Sequence, residues 1–238
     1  MAIAVRAVAV ANTGTAQGTG SPGLAISVPT GTLDGDLLYM GVMAASSTGT
    51  FDTPGGWTVV EAQFASTGQA SAKMAVYRKV ASGEPASYTF TWQTGAATGR
   101  VAIIMASFSG VNQTTPQQAE AKDAGAGPTS TEVLPSVTPT SATMILGIVG
   151  AYTPSFGATT WTADGAMTEI TGADTSSSHA SASNASIEFA TQQVAAGATG
   201  TRTATGSRAD LRPCGVMVAL NPAISSPFPN RNLAVIRR

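Results

Sequence analysis

Two runs of the chain are apolar from end to end. Residues 35–45 read Gly-Asp-Leu-Leu-Tyr-Met-Gly-Val-Met-Ala-Ala, and in residues 142–151 Met144, Ile145, Leu146, Gly147, Ile148, Val149, Gly150 and Ala151 stand in the order of Leu38 through Ala45. Each run has strand length, opens on a turn-like polar residue and lacks polar alternation, so each is expected to be a strand buried on both faces. If the two are equivalent, the chain is one fold written twice.

The flanking segments alternate instead. Residues 71–80 place Met74 and Val76 on one face, and residues 88–92 alternate Tyr88, Phe90 and Trp92 with Thr89 and Thr91, the pattern of half-exposed strands. Short β-type runs at 5–11, 24–29, 57–63 and 100–108 complete about seven strands in the first half. Pro54-Gly-Gly-Trp57 is a tight turn, and Glu84-Pro85 is a break because proline donates nothing to a ladder. The second half repeats this order: Trp57-Thr58 returns as Met167-Thr168, Val80-Ala81-Ser82-Gly83 as Val194-Ala195-Ala196-Gly197, Thr89-Phe90-Thr91 as Thr203-Ala204-Thr205, and residues 104–108 as 216–220. The anchor spacings differ by only a few residues, which places insertions in loops, as a duplication requires. No helix of ordinary length is expected. Residues 117–124 carry helix-favouring residues but are short, and read equally as the first strand of a second unit. The expected fold is all-β: two tandem duplicated β-sandwich, jelly-roll-like units at 1–115 and 116–222, with an extended C-terminal arm at 223–238.

Composition agrees with sandwiches whose outer faces carry Thr and Ser. Charged residues make up 11% of the chain and hydrophobic ones 43%, which excludes a disordered polyelectrolyte. The net charge is −1 with Lys and Arg scattered, so no nucleic-acid footprint is present. The single cysteine, Cys214, forms no internal disulfide and precedes a buried strand as an inert small hydrophobe. Arg6 interrupts the first apolar run and no basic stretch precedes it, so no signal peptide is expected; no run reaches the length of a membrane span. The expected place of synthesis is a cytoplasm, without membrane insertion.

Chemistry-bearing residues are few. His179, the sole histidine, sits in a Ser-rich loop, and with one Cys it makes neither a Ser-His-Asp triad nor a zinc site. Asp34, Asp36 and Asp52 lack the spacing of a calcium loop and read as turn residues. Glu61, Glu84, Asp164 and Glu169 are the candidates for a glycosidase pair, but no spacing unites two of them. No catalytic residue, metal ligand or cofactor is therefore expected. Trp57 and Trp92 sit where core aromatics belong. Trp161, with Tyr152, is the possible glycan contact, against the commoner reading of turn packing.

The series Gly35-Asp-Leu-Leu, Pro54-Gly-Gly-Trp57, Ala75-Val-Tyr-Arg-Lys-Val80, Glu84-Pro-Ala-Ser-Tyr-Thr89 and Phe108-Ser-Gly-Val111 resembles a recurrent β-rich module of tailed-bacteriophage virion proteins, of the minor tail or decoration type, which also occurs in bacterial surface proteins. The likeness covers residues 24–222, and its motifs are conformational rather than chemical. It implies a non-enzymatic structural protein located in the virion, oligomeric, with other capsid or tail subunits as partners. The alternative is a carbohydrate-binding adhesion or receptor-binding module for a host surface glycan. Beyond Pro222, Pro227 and Pro229 are followed by an apolar and basic stretch. Phe228, Arg231, Leu233, Val235, Ile236, Arg237 and Arg238 are the expected partner-docking residues, adding a strand to a neighbour and pairing with its carboxylates.

Overall fold

The computed structural model describes residues 2–13, 23–46, 49–93, 100–155, 157–177 and 183–224. The first half forms β1 (Ala4–Asn12), β2 (Gly23–Ser27), β3 (Leu37–Ala45), β4 (Thr50–Phe51), β5 (Thr58–Ser66), β6 (Gln69–Val80), β7 (Ser87–Gln93) and β8 (Arg100–Ser109). The second forms β9 (Gln117–Asp123), β10 (Thr131–Leu134), β11 (Thr143–Thr153), β12 (Trp161–Thr162), β13 (Thr168–Ser176), β14 (Asn184–Val194), β15 (Arg202–Gly206) and β16 (Arg212–Leu220). Of residues 117–124, Gln117–Asp123 form strand β9, and Pro116 lies in the connection between the two sets.

Pairing is nested within each half. The first strand pairs with the last, the second with the seventh and the third with the sixth, giving sheets β1-β8-β3-β6-β5 and β2-β7-β4. The second half repeats this as β9-β16-β11-β14-β13 and β10-β15-β12. Such nesting, two sheets folded over one another from a long antiparallel ribbon, is the jelly-roll arrangement. In both halves the fifth strand pairs with the sixth and extends the larger sheet.

The two five-stranded sheets pack against each other, so the chain has four layers. Alternate residues of β3 go to opposite sides: Leu37, Tyr39 and Met43 enter the central core, while Leu38, Met40, Val42 and Ala44 face the small sheet of their own half. In β11, Met144, Leu146 and Ile148 turn to the centre, and Ile145 and Val149 turn outward. Both strands are apolar throughout because each has a core on both faces. Each unit therefore has its own core and shares a third with its copy. At the centre the backbone is kept bare where the opposite sheet intrudes. A Cβ on Gly41 would stand 2.8 Å from Phe189 Cε1, and one on Gly150 would stand 2.8 Å from Met74 Cε.

The duplication is real, but the sequence matching of the organising strands is out by one residue. Gly41 faces the central core, whereas Gly147 faces Leu134 and Met167 on the outer side. Gly41 lies opposite Val76 and Ile104, and Ile148 lies opposite Phe189 and Val216, so Ile148 is its true counterpart. Val80 and Val194 likewise pack on different cores. A slip of one residue exchanges the faces of a strand, and a strand that is apolar on both faces carries no alternation to reveal it. Past that point the match is sound: Gly83 and Gly197 both have positive φ, 58° and 109°, and Phe90 and Ala204 both face inward.

Candidate functional site

Buried carboxyl groups without partners lie inside the second sandwich. On β14, Ile187 and Phe189 point to the central core, so alternation drives Glu188 to the other face, beneath β12 and β15. Glu188 is 1% exposed and neither carboxyl oxygen has a hydrogen-bond partner. Beside it is a void of about 10 Å³, lined also by Asp164, Arg202 and Met167, with room for about one water molecule. Across the ladder lies Asp174 of β13, whose Oδ2 accepts the Trp161 amide at 3.1 Å while Oδ1 is unpartnered. Burial, then the charges of Glu169 and Asp174, push the Glu188 carboxyl up to about 8. Burial also raises Asp174, to about 6, against the opposing hydrogen bond from Trp161 and with a further push from Glu169.

The first unit builds the same corner without this strain. Ala75, opposite Val42, takes the place that Glu188 takes opposite Val149. Gln63 stands in for Asp174 and uses both ends of its amide, accepting from Phe51 N at 2.8 Å and donating to Gly49 O at 3.1 Å. Lys73 donates to the same carbonyl at 2.6 Å, whereas its counterpart Ser186 accepts the Trp161 indole N–H at 3.1 Å. The acids are thus additions peculiar to the second unit. Both Glu188 oxygens are shut from solvent, so its carboxyl is enclosed in the core rather than presented at the surface.

A second carboxyl pair joins β9 to β10. Glu132 is buried and hydrogen-bonded to Asp123, at the base of an open groove of about 200 Å³ that includes Thr129 and Thr131. Burial first, then the charge and hydrogen bond of Asp123, push Glu132 up to about 8. A bond between two carboxyl groups requires a proton on one of them. The nearby Cys214 thiol is fully buried and raised well above its usual range by burial and these acids, which leaves it unreactive.

The residues singled out from sequence do not converge. Asp36 pairs with Arg6 at 2.6 Å and accepts from Leu33 N and Ser107 Oγ; Asp34 accepts from Gly83 N; Asp52 accepts from Thr91 Oγ1. Among the described residues no group of three or more His, Cys, Asp or Glu could hold a metal ion. Glu61 pairs with Lys122 at 2.7 Å and Glu84 with Lys79 at 2.8 Å; Asp164 caps a turn through Ala166 N and Thr203 N. Glu169 stands exposed on β13, where its charge acts on Glu188 and Asp174. His179, the Trp92 side chain and the arm residues Phe228, Arg231, Leu233, Val235, Ile236, Arg237 and Arg238 lie outside what is described.

Trp161 is 4% exposed, so the ring face that stacking on a sugar requires is inside the protein. Tyr152 is half-buried against the central core, on the opposite side of its sheet from Trp161, so the two form no joint glycan surface. Trp161→Ala is expected to cost about 3 kcal/mol, read from the denaturant midpoint, because it opens the second unit's outer core and strips Ser186 of its donor. Unchanged stability would place the ring at the surface instead.

Fold and site together define a class, a duplicated jelly roll fused back to back, with buried acids in its second unit. No family model, characterised protein or solved structure matches the chain.

Proposed function

We propose that the chain is a non-enzymatic building block of a tailed-phage virion, a minor tail or capsid decoration protein that docks on neighbouring subunits through its sandwich faces and C-terminal arm. The observation that carries this reading is the four-layer block itself, two jelly rolls joined through a common core and continued by an apolar, basic segment at the exit of β16. Jelly rolls recur in viral capsids, where a rigid body with variable loops tiles against copies of itself and its neighbours. Such a role uses shape and surface rather than a reactive centre, in keeping with acids that are enclosed instead of presented. Lectins share the jelly-roll architecture, but the adhesion alternative is weakened by the enclosure of Trp161: among the described residues every aromatic side chain is buried or half-buried.

The test is immunogold electron microscopy of purified particles with antibody against residues 1–222. Regular label on heads or tails is expected, and its position decides between decoration and tail. Protein found only in the soluble or cell-surface fraction would overturn the virion reading and favour adhesion.

A further inference from the structure

The two large sheets leave a seam along one side of the molecule, between β1 and β13. Among the described residues β1 pairs in its backbone ladder with β8 and β13 with β14, so each is a sheet edge on this side, bridged at one end by Asn12 Nδ2 donating to Thr175 Oγ1 at 2.9 Å and at the other by Gln193 Nε2 donating to Ile3 O at 2.8 Å. At one end of the seam a pocket of about 510 Å³ lies between Ala2-Ile3 and residues 193–195, with Pro222 on its wall. Further along the same strands a groove of about 330 Å³ runs between Val5 and Val8 on one side and Glu169 and Ile170 on the other. Both are lined mainly by apolar surface. Glu169, the groove's carboxylate, is exposed and makes no ion pair among the described residues, while Arg6 is committed to Asp36.

The chain leaves its last strand at the mouth of this seam. Ala223 N donates to Gly110 O at 2.8 Å, and Gly110 abuts the Ala2 carbonyl so closely that a Cβ there would stand 2.4 Å from it. Residues 225–238, extended, reach about 45 Å at roughly 3.3 Å per residue. The seam from Ile3 to Val8 needs about 17 Å. The segment carries what the seam lacks: Phe228 soon after the exit, then alternating Leu233 and Val235, with Arg231, Arg237 and Arg238 as cations.

We propose that in the free subunit residues 225–238 lie in the seam of their own chain, with Phe228 in the pocket beside Pro222 and an arginine of the segment paired with Glu169. The berth covers apolar surface on both segment and seam, and a neighbour that takes the segment during assembly must outbid it. This inference stands on the seam and the exit point, and holds whether or not the chain belongs to a virion.

Disulfide trapping tests it in the full chain carrying Ala195→Cys and Phe228→Cys, Cys214 being too buried to compete. Mild oxidation is expected to give an intramolecular disulfide, identified by peptide mass, in a protein that stays monomeric on a non-reducing gel. A disulfide-linked dimer would show that the occupant is a second copy, and two thiols that stay free while reacting with a soluble thiol reagent would empty the pocket; either overturns the proposal. A second readout leaves the pocket intact: Glu169→Arg is expected to speed trypsin cleavage at Arg231 about fivefold, and an unchanged rate overturns the pairing.

Discussion

Phe189→Ala is expected to cost about 3–5 kcal/mol and to lower the stability of both halves together, in one unfolding transition. Phe189 sits on β14 of the second unit, yet its ring fills the space left by Gly41 on β3 of the first. The central core it belongs to takes side chains from β3, β6 and β8 on one side and β11, β14 and β16 on the other. Removing the ring opens a void between sheets that are each anchored on their far faces and cannot simply collapse into it. Calorimetry of the wild type and the variant, with intrinsic fluorescence alongside, reads the outcome, since Trp57 reports on the first unit and Trp161 on the second. Two separated transitions, with only the Trp161 signal shifted, would mean that the units are independent and the central contact is weak. The same geometry predicts that residues 1–115 alone expose a sheet-sized apolar face and aggregate.

Glu188→Gln is expected to stabilise the protein at pH 8.5 by up to about 5 kcal/mol, while changing it by less than about 1 kcal/mol at pH 5. The sign follows from the direction in which the fold moves this carboxyl. Raised to about 8, it holds its proton in the fold at pH values where the unfolded chain, at 4.5, has lost it. Stability is therefore full below about 4.5, falls as pH rises through the interval to 8, and is flat beyond. Each pH unit of that interval weakens the fold by about 1.36 kcal/mol, which sets the upper bound. Glu132, raised over the same interval, and Asp174, raised from 3.8 to about 6, add slopes of the same sign, so the wild type is expected to melt higher at pH 5 than at 8.5. Glutamine keeps the shape and removes the charge, so the variant's profile flattens. Urea midpoints at the two pH values read both numbers, and parallel profiles for wild type and variant would show that Glu188 ionises freely in the fold.

These acids were not visible in the sequence. Glu188 continues the alternation of Asn184 and Ser186 with Ala185, Ile187 and Phe189, and nothing local distinguishes a glutamate facing solvent from one facing a small covering sheet. Its signal lies in the comparison of copies, where Ala75 occupies the same place, and that comparison needs the correct register. Trp161 shows the converse: a Gly/Thr-rich neighbourhood resembles an exposed loop, but β12 closes over the sandwich and takes the indole inward. Asp36 was legible as a turn residue, yet its ion pair with Arg6 spans strands whose proximity only the nested pairing creates.

The sequence alone determined the all-β class, the duplication, most strand positions and the glycine and proline turns between them. These depend on local rules: alternation with period two, side-chain branching and the backbone freedom of glycine. Only the tertiary structure decided which face of each strand meets which core, that the copies share a central layer, and that the second unit encloses unpaired acids. Those outcomes depend on contacts between residues far apart in the chain. In β3 and β11, where both faces are buried, the local pattern is identical in either register, and packing across the sheets alone breaks the tie.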